Sequence, residues 1–202
     1  MDKELVLNKS MKDFSKSIDV LQIILICACA LLVPTFLAGL LTSIFGANSV
    51  IASNSQIIVG SIVNTALIIT AINVKGWKKI AGIITLPSIS TILGGYVFKS
   101  ASPFMAYMIP AIWLGNFALV YLFKKLLLDK NFNYFLTGAI AIVVKVAIIF
   151  GGFSLLNVFG VFPEKLVQNL QNAMGFTQLI TACIGTIVAY TVYIANKKSL
   201  KE

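Results

Sequence analysis

Long apolar runs alternate with short polar segments along this chain, and six of the runs reach membrane-spanning length. They cover approximately residues Ile18–Phe45, Gln56–Val74, Ile80–Phe98, Phe104–Phe123, Tyr134–Phe159 and Phe176–Asn196. A helix needs about 20 apolar residues to cross the hydrocarbon core of a bilayer. The pattern predicts an all-α integral membrane protein with six transmembrane helices, forming a single domain over residues 1–202. The first run is too long for a signal-peptide core and lacks a convincing cleavage site, so it is expected to be a retained helix. No linker or internal repeat is visible.

Two polar segments have a periodicity of their own. In the leader, residues 1–17, Leu7, Met11 and Phe14 recur at helical intervals that continue into Ile18. That spacing suits a helix lying on the membrane surface, and a solvated, frayed leader fits almost as well. Residues 161–174 predict a short amphipathic helix, with Pro163 in its first turn, a stripe of Leu166, Leu170 and Met174, and Gly175 at its end. It would be an external loop, serving either as the cap of a pocket or as a plain connector.

Charge orients the bundle. All sixteen basic residues are lysines, and thirteen of them sit in the leader, the second and fourth loops and the tail. The first, third and fifth loops hold only Lys99 and Lys165. The positive-inside rule then puts both the N and C termini in the cytoplasm. Hydrophobic residues make up 58% of the chain and charged residues 11%, whereas soluble domains are about a quarter charged. The net charge of +9 does not point to nucleic acid, because it is spread over loops and includes no arginine to read bases or phosphates. High lysine, isoleucine and asparagine without arginine is the composition expected from an AT-rich bacterial genome, hence a bacterial plasma membrane.

Candidate chemistry is sparse. There is no histidine, and Cys27, Cys29 and Cys183 lie in apolar runs without metal or redox spacing, so they are expected to be small buried hydrophobes. The seven acids, Asp2, Glu4, Asp13, Asp19, Asp129, Glu164 and Glu202, all fall in loops or at membrane edges. An ion-coupled carrier usually keeps a carboxylate inside its helices. Proteolysis or phosphotransfer would need paired acids, a metal cluster or a serine with its base. An enzyme is therefore not expected, and neither a metal nor a cofactor is implied.

One charge does enter an apolar run. Lys145 lies about eleven residues into the fifth run, roughly 17 Å at 1.5 Å per residue, close to midplane. A charge there costs on the order of 3 kcal/mol, and snorkelling to either interface is a long reach. Its charge can be relieved by losing the proton, by hydrogen bonding to carbonyls near Gly151 and Gly152 or to Asn64 and Asn116, or by an anionic group on a substrate. The last best explains why the charge is tolerated. Candidate substrate-binding residues at similar depths are Lys145, Trp113, Asn116 and Asn64, with Asn157 and Gln178 further out and Tyr96 and Tyr107 flanking the third loop. Interhelical hydrogen bonding and interfacial anchoring are the competing roles for the amides and tyrosines.

Two stretches carry a resemblance. "MIPAIWLGNFALVYLFKK", residues 108–125, and "MGFTQLITACIGTIVAY", residues 174–190, resemble the fourth and sixth helices of S components of energy-coupling factor transporters. The matching positions are Pro110, Gly115 and Asn116 in the first, and Gly175, Gln178 and Gly185 in the second. A lysine-bearing fifth helix is similar to that of several S components of unassigned substrate. The resemblance implies six helices with cytoplasmic termini and capture of a vitamin or similar micronutrient from outside. It also implies a scaffold subunit and two ATPase subunits as partners, supplying energy that this chain, with no phosphate-binding loop, does not supply. The family's first helix often docks the scaffold through small residues, for which Ala28, Ala30 and Ala38 are the nearest equivalents, Pro34 replacing an alanine between the last two. The other readings are a self-contained small carrier or channel, and a structural membrane subunit that binds no small molecule.

Overall fold

The computed structural model describes residues 20–199 apart from 22, 47 and 96; the leader 1–17 and Tyr96 lie outside the described residues. The described chain is all helical, without a strand. Helix α1 spans Ile23–Phe45, α2 Ser55–Asn73, α3 Trp77–Gly94, α4 Met105–Leu122, α5 Tyr134–Val158, α6 Glu164–Met174 and α7 Phe176–Ser199. Five stretches are long and apolar enough to cross a membrane: Ile23–Phe45, Ser55–Asn73, Ser100–Asp129, Tyr134–Val158 and Glu164–Ala195. Their outward faces carry exposed Leu25, Leu40, Val143, Leu155 and Ile187. Apolar surface on that scale is anomalous in water and natural against lipid. This is a multi-pass membrane protein.

The third run forms an 18-residue helix, about 27 Å long at 1.5 Å per residue. It is less apolar than the other five because Lys78 and Lys79 occupy its first turn and Pro87 its interior. Two cysteines depart from expectation: Cys29 and Cys183 are exposed on the helix exteriors and Cys27 is half-buried. A thiol behaves as a small apolar group, so a lipid-facing position suits it as well as a core.

Local sequence explains the irregular points. Proline has no N–H to donate, and α1 widens into a π-type turn at Val33–Leu37, around Pro34. The carbonyl of Leu31 accepts from Thr35 Oγ1 at 2.7 Å and from Ser90 Oγ of α3, which ties the two helices together. Asn133 caps α5 by accepting from the amides of Phe135 and Leu136, at 2.9 and 3.2 Å. Lys124 Nζ donates at 2.8 Å to the carbonyl of Val74, just past the end of α2. The segment before α6 ends in Pro163, which is the N-cap residue rather than part of the first turn.

The most extensive helix pairs are α2 with α7 and α4 with α5. Both depend on glycine. A Cβ on Gly185 of α7 would lie 2.6 Å from Asn64 Cβ and 2.9 Å from the amide nitrogen of Thr65 on α2. One on Gly115 of α4 would lie 2.7 Å from Ile149 Cγ1 on α5. Backbones this close gain dispersion contact, which is what holds helices together when lipid surrounds them.

Two apolar cores result, one at each end. At the lysine-rich end, Leu67, Ile68, Ile80, Ile83, Leu119, Phe123 and Tyr134 are among the residues that pack into one cluster. At the lysine-poor end, Met105, Met108, Ile149 and Phe153 pack beneath the apolar stripe of α6, which comprises Leu166, Leu170, Ala173 and Met174. Between the two cores lies a polar layer.

Candidate functional site

The polar layer is built from the middles of three helices. Lys145 of α5 is 2% exposed, Asn64 of α2 is 2% and Asn116 of α4 is 3%. Lys145 Nζ donates to Asn64 Oδ1. Asn64 Nδ2 then donates to the carbonyl of Gly60 at 2.9 Å and to Thr181 Oγ1 of α7 at 3.1 Å. Thr181 Oγ1 in turn donates to the carbonyl of Gln178 at 3.1 Å. The amide of Asn64 thus bridges α5, α2 and α7, with its oxygen turned to the cationic side chain and its nitrogen to two acceptors.

This layer floors a cavity. The cavity is lined by Asn64, Asn116, Lys145, Thr181 and Gln178, together with Pro87, Ser88, Thr91 and Ile92 from α3. Its outer lining is Gln56 in the first turn of α2, Thr177 in the first turn of α7, Met105 at the start of α4, and Val97 and Phe98. All five belong to the lysine-poor end, so the cavity runs from that end to mid-helix. The open space between its walls is about 660 Å³, a figure that takes in solvent at the mouth. The part that admits a whole water molecule is about 80 Å³, room for several waters. The smaller figure describes the resting molecule, and anything larger than a few waters requires its wall side chains to move.

The polar lining is under-satisfied. Ser88 Oγ is buried without a hydrogen-bond partner. No hydrogen bond forms from the side-chain amides of Asn116 or Gln178 among the described residues, nor a second one from Lys145, whose ammonium offers three donors. Buried polar groups are normally paired, so the orphan hydroxyl of Ser88 and the unbonded amide of buried Asn116 stand out. The described carboxylates are remote: Asp129 pairs with Lys125 at 3.3 Å on the surface, and Glu164 begins α6.

Of the residues singled out in the sequence, the fold brings together Lys145, Asn64, Asn116 and Gln178. Trp113, Asn157 and Tyr107 do not line the cavity. Trp113 lies about 60° round the helix from Asn116 and about 100° from Ile112, which does line it; its buried Nε1 has no partner. Asn157 is half-buried near the end of α5, and Tyr107 is 58% exposed. Ala30 and Ala38 are each 1% exposed and pack inside the chain, while Ala28 is half-buried. Ser88 and Thr181 were not foreseen. Thr181 follows Gln178 by three residues on one helix face, and Ser88 follows the helix-interior Pro87; both were readable signals.

Comparison with known proteins adds no relative to this geometry: no protein-family model, no curated protein and no solved structure matches the chain.

Proposed function

We propose that this chain is the substrate-capturing membrane subunit of an uptake system, binding a vitamin or other small micronutrient from outside. In this reading the chain crosses a bacterial plasma membrane six times, with α3 as the additional span and both termini in the cytoplasm. The lysine-poor end then faces out, and the cavity opens to the exterior. The observation that carries the proposal is that cavity: it reaches mid-helix from one end only and is lined by unfilled polar groups. No described carboxylate lies within it to bind a coupling ion, so transport energy would come from elsewhere. The resemblance of residues 108–125 and 174–190 to S components of energy-coupling factor transporters supplies the candidate source, a scaffold subunit with two ATPases. Capture itself requires no chemical step from this chain.

The test is mass spectrometry of small molecules that co-purify with the detergent-solubilised protein, followed by uptake into vesicles containing this chain alone. A defined molecule that binds but is not accumulated is the expected result. Accumulation by the isolated chain would replace the capture reading with a self-contained carrier, and neither binding nor accumulation would make it a structural subunit. Orientation is checked separately by single cysteines in a cysteine-free background. One at Asn172 should label from outside intact cells and one at Lys130 should not; both positions are exposed. The reverse labelling would invert the site.

A further inference from the structure

Lys145 is a buried amine whose hydrogen-bond partner is neutral. Its one hydrogen bond among the described residues goes to the amide oxygen of Asn64, and neither described carboxylate is near. The same cavity is lined by the unbonded amide of Asn116 and the orphan hydroxyl of Ser88, which are 3% and 6% exposed. Together these side chains supply hydrogen-bond donors in excess: an ammonium, an amide NH₂ and a hydroxyl. A charge held only by a carbonyl dipole at this depth is incompletely compensated. What the site lacks is an anion.

The charge count selects the kind of anion. One buried lysine balances a single negative charge. A phosphate ester carries about 1.5 to 2 negative charges at neutral pH, and would leave a net charge buried in a layer without arginine or a second lysine. A carboxylate is a monoanion whose two oxygens accept from several donors at once, with charge-assisted bonds about twice as strong as neutral ones.

We propose that the captured molecule bears a carboxylate that seats on Lys145, Asn116 and Ser88, and that Asn64 is the resting acceptor which the carboxylate supplants. The inference rests on the capture reading above and adds the substrate class. The molecule enters carboxylate first, because the donors lie at the floor of the cavity while Ile92, Val97 and Phe98 form apolar walls nearer its mouth. Asn64 remains a positioning residue, held in place by Gly60 and Thr181.

Matched probes test this directly. Benzoate and butyrate at millimolar concentration should raise the thermal midpoint of the purified protein, by mass action on the folded state. Benzamide and butyramide, their neutral isosteres, and phenyl phosphate should not. Lys145→Met should abolish the carboxylate shift. Asn64→Asp is the sharper variant, since it places a carboxylate on the ammonium permanently. It should still fold, the new partner for Lys145 offsetting the lost donors to Gly60 and Thr181, and weaken benzoate binding by at least about tenfold, about 1.4 kcal/mol. Equal shifts from the acid and its amide, a stronger shift from phenyl phosphate, no shift from either acid, or retention of the acid's effect in Asn64→Asp would each overturn the proposal. If Lys145→Met fails to fold, Asn64→Asp still decides. A neutral co-purifying molecule whose affinity is unchanged by Asn64→Asp would leave capture standing and remove the carboxylate. Absence of any bound small molecule would remove capture itself.

Discussion

The two ends of the bundle are made from the same helices, yet one is closed and the other is hollow. At the lysine-rich end Phe123, Leu67, Ile68, Ile80 and Leu119 are each no more than 1% exposed and belong to one cluster. At the lysine-poor end the same helices α2, α3, α4 and α7 line a cavity floored by Lys145 and Asn64, and α6 covers the neighbouring core. The difference follows from side-chain chemistry. Branched and aromatic residues fill space at one end; at the other, Asn64, Ser88, Asn116, Thr181 and Gln178 interrupt the apolar surface. Polar groups with unmet hydrogen bonds keep a void useful, whereas an apolar void simply forfeits contacts.

That contrast can be broken, and the largest effect is expected in the closed core. Phe123→Ala should destabilise the protein by about 3 kcal/mol or more, because nothing collapses into the space of a side chain packed on all sides. Ile92→Ala, which enlarges a cavity already present, should cost well under half as much. Denaturant-driven unfolding in detergent measures both, and equal losses would show that the two ends are equally packed.

Next in size is the seam between α2 and α7 that both ends share. Gly185→Ala puts a methyl against backbone on α2, where no side-chain rotation makes room, and should cost about 2 kcal/mol. Gly82→Ala, with nothing within 4 Å of its added Cβ, should be neutral or stabilising. A tolerated Gly185→Ala would mean that the helices separate readily.

Asn64→Leu sharpens the account of the polar layer. It removes the acceptor of Lys145 and the donor to Thr181 in one step, so about 1–3 kcal/mol should be lost. Lys145→Met in the same background should restore most of it, since the amine that lost its acceptor is then gone as well. Failure of the second change to rescue the first would mean that Asn64 matters for packing alone.

The smallest effect concerns an orphan group. Ser88→Ala deletes a buried hydroxyl that has no partner, so folding stability should change by less than about 0.5 kcal/mol or improve slightly. A loss as large as that of Asn64→Leu would show that the hydroxyl is bonded in the molecule at rest.

The amino-acid sequence by itself determined the elements. Hydrophobic runs bounded by Asn133, Pro163 and Gly175 placed α5, α6 and α7 within a few residues of where they form. Their prediction needs only the length of each run and the local cost of leaving backbone groups unpaired in lipid. The same reading marked Lys145 as unusual, because a charge in an apolar run is unusual whatever surrounds it. Tertiary structure decided which polar residues meet. Asn116 and Trp113 are three residues apart on one helix, and only the rotation of α4 against α5, set where Gly115 lets Ile149 approach, turns the first toward the cavity and the second away. Ser88 and Thr181 join the site from helices distant in sequence, through the packing of α3 and α7 against α2. Ala30 and Ala38 are buried for the same kind of reason: small residues permit close contact, but their spacing alone does not say whether the partner is another helix of this chain or another protein. Periodicity reports the face a residue shares with its neighbours; what that face meets is settled only when the helices pack.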